Sequence, residues 1–341
     1  MGRTFRQKES VVTGRNWLFT DTPYAARFPP FEDESLTSWI ARLANGNGLP
    51  FRSFWQSLSQ ESPRLRLGDL DRSDGDRLFQ TLSRRTTVPE ATIRALSLNE
   101  FQGKVFGENE KEKSDWIIPA DALNTRKHRH GRQFCPHCLA QDRVPYFRKH
   151  WRLAFISVCP IHLVELLEAC PECGGRPKLF FDAPLETTEG SVPPYLRCPT
   201  CGESLLSEKV RRETRDISTD ISLFQKYLKA GADSGQFLLN SEVQISALPY
   251  FQALRRFLKD LAFGKLGEVK LKRLVAWFNG AETQISPGRQ PLGNLPQTQR
   301  TSLMYSAAWF IKVQPSVFRQ LIENFDVKGE LPPRVAFQWY W

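Results

Sequence analysis

Leu36, Trp39, Ile40 and Leu43 recur at intervals of three, one and three, the apolar stripe of an amphipathic helix. Asp33 or Ser35 is placed to cap its start, and Asn45-Gly46-Asn47-Gly48 to end it. Pro50 opens a second stripe of Phe51, Phe54, Trp55 and Leu58, so Trp39 and Trp55 read as core residues rather than a stacking platform. Farther on come Leu82, a polar turn from Arg84 to Thr87, and Pro89 leading into Ile93 and Leu96. Helix, short turn, helix in this order is like a helix-turn-helix without its usual turn glycine. Many helical hairpins share the pattern, and packing or protein contact comes before DNA reading as its expected role. Beyond residue 205 the stripes are again helical: Phe251, Leu254, Leu258 and Leu261, then Leu271, Leu274, Val275 and Phe278. Residues 286–297 form a proline- and glycine-rich connector, and Pro315 breaks or restarts the helix that follows it. The aromatic ending, PPRVAFQWYW, needs cover from the domain or a partner.

The seven cysteines interrupt this helical pattern. Cys135/Cys138, Cys170/Cys173 and Cys198/Cys201 are Cys-x-x-Cys pairs, and Cys159 stands at the same spacing from His162. Two residues between ligands let a tight turn aim both side chains at one ion. An odd count and no apolar leader argue against a disulfide framework. Consecutive pairing makes a first site of Cys135, Cys138, Cys159 and His162, and a second of Cys170, Cys173, Cys198 and Cys201. An interleaved arrangement, with 135/138 sharing an ion with 170/173, is the alternative. His137 is the competing imidazole, with poorer spacing than His162. Thiolate and imidazole donors favour zinc over harder cations and over an iron–sulfur cluster, giving two zinc ions per chain. Four protein ligands leave no open coordination position, so both sites are expected to be structural and the chain no enzyme. The residues between Leu163 and Ala169 look helical and would set the two sites' orientation.

The fold class expected is mainly α. A flexible lead (1–18) precedes an N-terminal helical, helix-turn-helix-like domain (19–125). A double zinc-ribbon region (126–205) and a C-terminal helical domain (206–341) follow.

With 341 residues, 40% hydrophobic and 25% charged, the chain is of ordinary globular composition, long enough for two or three domains. No apolar run is long enough to span a bilayer, and a cytoplasmic address is expected. Net charge is +10, concentrated between Arg126 and Arg152, where eight cations face one acid, Asp142. Such a cluster neutralises phosphates, and Arg126, Lys127, Arg129, Arg132, Arg148 and Lys149 are the candidate nucleic-acid contacts. A solvated basic face, or a dock for an acidic partner, would have the same composition. Tyr146, Phe147 and Trp151 read mainly as core between the two halves of the first site. Walker, Rossmann and nucleophile-elbow motifs are absent.

Glu34 to Trp39 (ESLTSW), Cys135 to Leu139 (CPHCL), Tyr146 to Arg148 with Trp151-Arg152, Cys159 to His162 (CPIH) and the two closing Cys-x-x-Cys pairs together resemble the TniQ family of transposition proteins. Arg300 to Phe318 is similar to the family's C-terminal portion, so the likeness runs over about residues 25–325. The resemblance implies a non-catalytic bacterial target selector. Its expected partners are a Cascade-type CRISPR effector complex with guide RNA, a TnsC-like AAA+ ATPase, DNA and a second copy of the chain. The alternative it implies is a TnsD-like protein that reads a fixed attachment site by itself.

Overall fold

The computed structural model describes residues 23–60, 69–120, 132–179, 192–239, 243–263 and 290–313. Ser35 starts the first helix, α1 (Leu36–Gly46), because its hydroxyl accepts from the Ser38 N–H at 3.2 Å. The helix ends where Gly48 takes a left-handed turn at φ +67°. The expected stripe of Leu36, Trp39, Ile40 and Leu43 is fully buried, and that of α2 (Phe51–Gln60) packs beside it through Phe51, Phe54, Trp55 and Leu58. The helix-turn-helix order is present as α3 (Asp76–Thr86) and α4 (Glu90–Arg94). Thr87 serves where a glycine is usual, at φ 63°. With five residues, α4 is only about 7.5 Å long and turns Ile93 into the core. A further helix, α5 (Glu110–Trp116), closes this part.

The cysteine-rich centre contains α6 (Pro136–Gln141) and an antiparallel hairpin, β1 (Val158–Cys159) with β2 (Val164–Glu165). The segment after His162 is therefore extended, which corrects the helical expectation for residues 163–169. Leu163 turns left-handed at φ 53° and donates its N–H to the Cys159 carbonyl at 3.0 Å. Leu166 then pairs with Ser157, and Leu167 with Phe134. A knuckle that folds Cys159 and His162 onto one point reverses the chain, and the returning strand meets its own partner before a helix can start.

The C-terminal part has α7 (Glu208–Arg212), α8 (Thr219–Ser234), α9 (Ala247–Phe263) and α10 (Gln297–Val313). Between α8 and α9 lies a second hairpin, β3 (Gln236–Leu239) with β4 (Val243–Ser246), that the helical expectation did not include. Gly235 ends α8 at φ +76°, and Phe237 folds back over Gly231, where a Cβ would stand 2.1 Å from the ring. Period-two burial follows, with Phe237 inside and Leu238 outside.

One continuous apolar core runs from Tyr24 to Phe310 through all three parts. Trp116 of α5 meets Phe155 and Phe251 edge-on, at 5.6 and 5.7 Å between ring centroids. Beside it the buried Asp115 carboxylate accepts from Arg255 at 2.5 Å, Lys259 at 2.9 Å and the Leu292 N–H at 2.9 Å. The lead 1–18, the 18/19 and 125/126 boundaries, the Leu271–Phe278 stripe, Pro315 and the aromatic ending lie outside the described residues. Among the described residues no helix is long and apolar enough to cross a membrane.

Candidate metal centres

Two groups of four donor atoms form, each with all its members within 4.8 Å of one another: Cys135, Cys138, Cys159 and His162, and Cys170, Cys173, Cys198 and Cys201. These are the consecutive pairings; the interleaved alternative is not formed. In the first, Cys135 is the N-cap of α6, and its sulfur accepts from the Cys138 N–H at 3.5 Å. The other half is the β1–β2 knuckle. His162 Nδ1 stands 3.5, 3.3 and 3.5 Å from the sulfurs of Cys135, Cys138 and Cys159, and Cys138 and Cys159 are 3.5 Å apart. A tetrahedral zinc ion with Zn–S of about 2.3 Å and Zn–N of about 2.05 Å requires sulfur–nitrogen separations of about 3.5 Å and sulfur–sulfur separations of about 3.8 Å. The donor set fits such an ion, and it is far from disulfide distance. His162 Nε2–H donates to Gln141 Oε1 at 2.8 Å, which leaves Nδ1 as the ligating nitrogen. His137 is turned away, with its Nε2 3.1 Å from Thr214 Oγ1 and its ring stacked on His162.

The second group is built from two matching knuckles. Gly174 and Gly202 take left-handed φ of 70° and 77°, each donating its N–H back to the first cysteine of its pair, at 2.8 and 2.9 Å. Cys170 and Cys201 lie 3.8 Å apart, and Cys173 and Cys198 3.5 Å, again fitting a tetrahedral ion. The two centres differ in cover: Cys135, Cys138 and Cys159 are buried, whereas Cys173 and Cys201 are exposed.

Half of the expected basic contacts are turned inward. Arg132 donates to Asp71 Oδ2 at 2.6 Å and to Thr37 Oγ1 at 3.1 Å. Arg152 bonds the same Asp71 oxygen at 2.6 Å, and also Asp69 and the Ile118 carbonyl. Burial alone would raise the Asp71 carboxyl, but Arg132 and Arg152 override it and hold the group well below the usual carboxylate range. Arg148 forks onto Asp142 at 2.8 and 3.1 Å while lying over the Tyr146 and Trp151 rings. Lys149 is buried against Glu100 and the Ala95 carbonyl. Except for Asp142, six residues from Arg148, these carboxylates stand far away in sequence, so composition suggested an exposed basic face where the fold makes an internal seam. Arg132, Arg148 and Lys149, three of the candidate contacts, are thus held by carboxylates of the fold itself. Arg126, Lys127 and Arg129 lie outside the described residues.

The ESLTSW stretch is the other side of this seam. Glu34 is clamped by Arg42 at 2.8 and 2.6 Å, and burial raises its carboxyl despite that pairing. Ser38 donates its hydroxyl to Glu34 at 2.9 Å and accepts the Phe147 N–H at 2.9 Å. Tyr146 donates to Asp33 at 2.7 Å. Phe147 and Trp151 are buried as expected, and Tyr146 is half-buried. The motif thus welds α1 to the chain that separates the two halves of the first centre.

Sequence reasoning missed the polar residues that fix the C-terminal helices to this centre. Gln225 of α8 accepts the N–H groups of Ser157 and Val158 at 2.9 and 3.1 Å, directly before Cys159. Gln297 of α10 reaches the Ser157 carbonyl at 3.3 Å, and the buried Arg300 bonds Gln133 at 2.9 Å, two residues before Cys135. A glutamine or arginine on an otherwise apolar helix face was the available signal.

Residues 25–166 match the TniQ family model. That span takes in α1 to α5, the whole charged seam and all four donors of the first centre, and it stops short of the second. A search of the curated proteins finds no match to the chain.

Proposed function

Because this chain carries a TniQ domain, we propose that it is a non-catalytic target-selection protein of DNA transposition, an adaptor that joins partners and does not transform a substrate. The observation that carries the reading is the joint content of the matched span: a closed four-donor centre and a motif whose charges are committed to holding the fold. We assign one zinc ion to each centre, held in the first by Cys135, Cys138, Cys159 and His162 and in the second by Cys170, Cys173, Cys198 and Cys201. Bound there, zinc supplies a fourfold cross-link; with four protein donors there is no position for a water nucleophile or a substrate.

The partners proposed are an RNA-guided effector complex on target DNA, on one side, and the AAA+ ATPase that brings the transposase, on the other, with the chain acting as a homodimer. Turning Arg132, Arg148 and Lys149 inward favours protein docking over autonomous DNA reading, since it removes three cations from any phosphate-binding face. Of the six candidate contacts, direct phosphate contact then falls to Arg126, Lys127 and Arg129. Co-expression with the subunits of a Cascade-type effector and its guide RNA tests this. The expected result is a guide-RNA-containing complex that retains the chain through affinity purification and size exclusion. A footprint on one defined DNA sequence, made by the chain without guide RNA, would transfer the assignment to the site-reading alternative.

A further inference from the structure

The two metal centres differ in a way that points to a chemical property of the second. In the first, all three sulfurs belong to buried residues, carried by α6 with its N-cap and by the β1–β2 hairpin. In the second, each knuckle contributes one buried cysteine, Cys170 or Cys198, and one exposed cysteine, Cys173 or Cys201. Each exposed sulfur faces a buried sulfur of the opposite knuckle: Cys173 lies 3.5 Å from Cys198, and Cys201 lies 3.8 Å from Cys170. The donor sets differ in charge as well. Four thiolates around a dication leave two negative charges, whereas three thiolates and a neutral imidazole leave one, so sulfur in the second centre is the stronger nucleophile.

We propose that the Cys170/Cys173/Cys198/Cys201 centre is an oxidant-reactive modification site, whose metal is released by peroxide while the first centre keeps its own. The inference rests on the zinc assignment made above. The exposed Cys173 thiolate attacks one peroxide oxygen, breaking the O–O bond and releasing hydroxide, which takes a proton to become water; the sulfur becomes a sulfenic acid. The Cys198 thiolate then attacks that sulfur, forming the S–S bond and expelling a second hydroxide, protonated in turn. Two thiolates lose two electrons, hydrogen peroxide gains them with two protons, and two waters form. The same sequence joins Cys201 to Cys170. With two of its four donors in a disulfide, the centre no longer holds the ion. Because each disulfide crosses between knuckles, the ribbon stays tethered, and a thiol reductant with added zinc restores it.

The experiment uses the full chain with its native metal, treated with hydrogen peroxide in the presence of a metallochromic dye, followed by alkylation and peptide mass mapping. Two zinc ions are expected before treatment. One is expected to leave at least about tenfold faster than the other, with disulfides at Cys173–Cys198 or Cys201–Cys170, and Cys135, Cys138 and Cys159 recovered reduced. Release of both ions at one rate, release of neither, or earlier oxidation of the first centre would overturn the proposal. Fewer than two zinc ions before treatment would instead overturn the zinc assignment, so the two failures are distinguishable.

Discussion

Cys159→Ser is expected to remove one zinc ion per chain and to unfold the centre of the protein, taking the attachment of both flanking helical parts with it. A structural zinc ion contributes on the order of 10 kcal/mol to local folding, comparable to the whole stability of a domain. Cys159 closes the β1–β2 hairpin, whose preceding residues Ser157 and Val158 are the docking point for Gln225 and Gln297. The other half of the same centre lies next to Gln133, the partner of Arg300. Loss of this metal therefore frees α8 and α10 together. Cys201→Ser in the second centre is the control: it also loses one ion, but its knuckles lie outside the seam, and the TniQ span keeps its cooperative transition. Metal content, with tryptophan fluorescence and limited proteolysis as readouts, separates the two. A Cys159→Ser protein that keeps a sharp unfolding transition and two zinc ions would refute the ligand scheme.

Asp71→Asn is expected to destabilise the chain by about 3–5 kcal/mol, because it leaves the buried Arg132 with only neutral partners and removes one of the two carboxylates that Arg152 has. The direction with pH follows from the depressed carboxyl. An acid whose folded pKa lies below its unfolded value, near 3.9, stabilises fully above that value. Its contribution falls as pH drops below about 4 and protons bind the unfolded chain first. The advantage of wild type over Asp71→Asn, read from denaturant titrations, should be constant from pH 7 to about pH 5 and narrow below it. An unchanged gap down to pH 3 would mean that Asp71 does not carry this charge coupling.

Periodicity alone located α1, α2 and α9, because a helix buries a face that repeats every three to four residues, and α10 was placed by the connector before it and Pro315 after it. It gave residues 163–169 the wrong element. There, ligand geometry at Cys159 and His162 outranked a local helical pattern. It also passed over β3 and β4, whose placement depends on Phe237 finding the gap above Gly231.

By itself the sequence determined the eight donors and their four two-residue-spaced pairs, since Cys-x-x-Cys and Cys-x-x-His spacing is a local property of one turn, while which pairs come together was decided by the fold. It also determined the family likeness over the matched span. Only the tertiary structure decided which groups Arg132, Arg148, Lys149 and Arg152 of the basic window meet within the chain. Whether Arg132, Arg148, Lys149 and Arg152 face phosphate or carboxylate depends on Asp71, Asp142, Glu100 and Asp69. Three of those carboxylates arrive from parts of the chain 49 to 83 residues away. Charge is written in the sequence; its neighbours, and hence whether it is available, are set by folding.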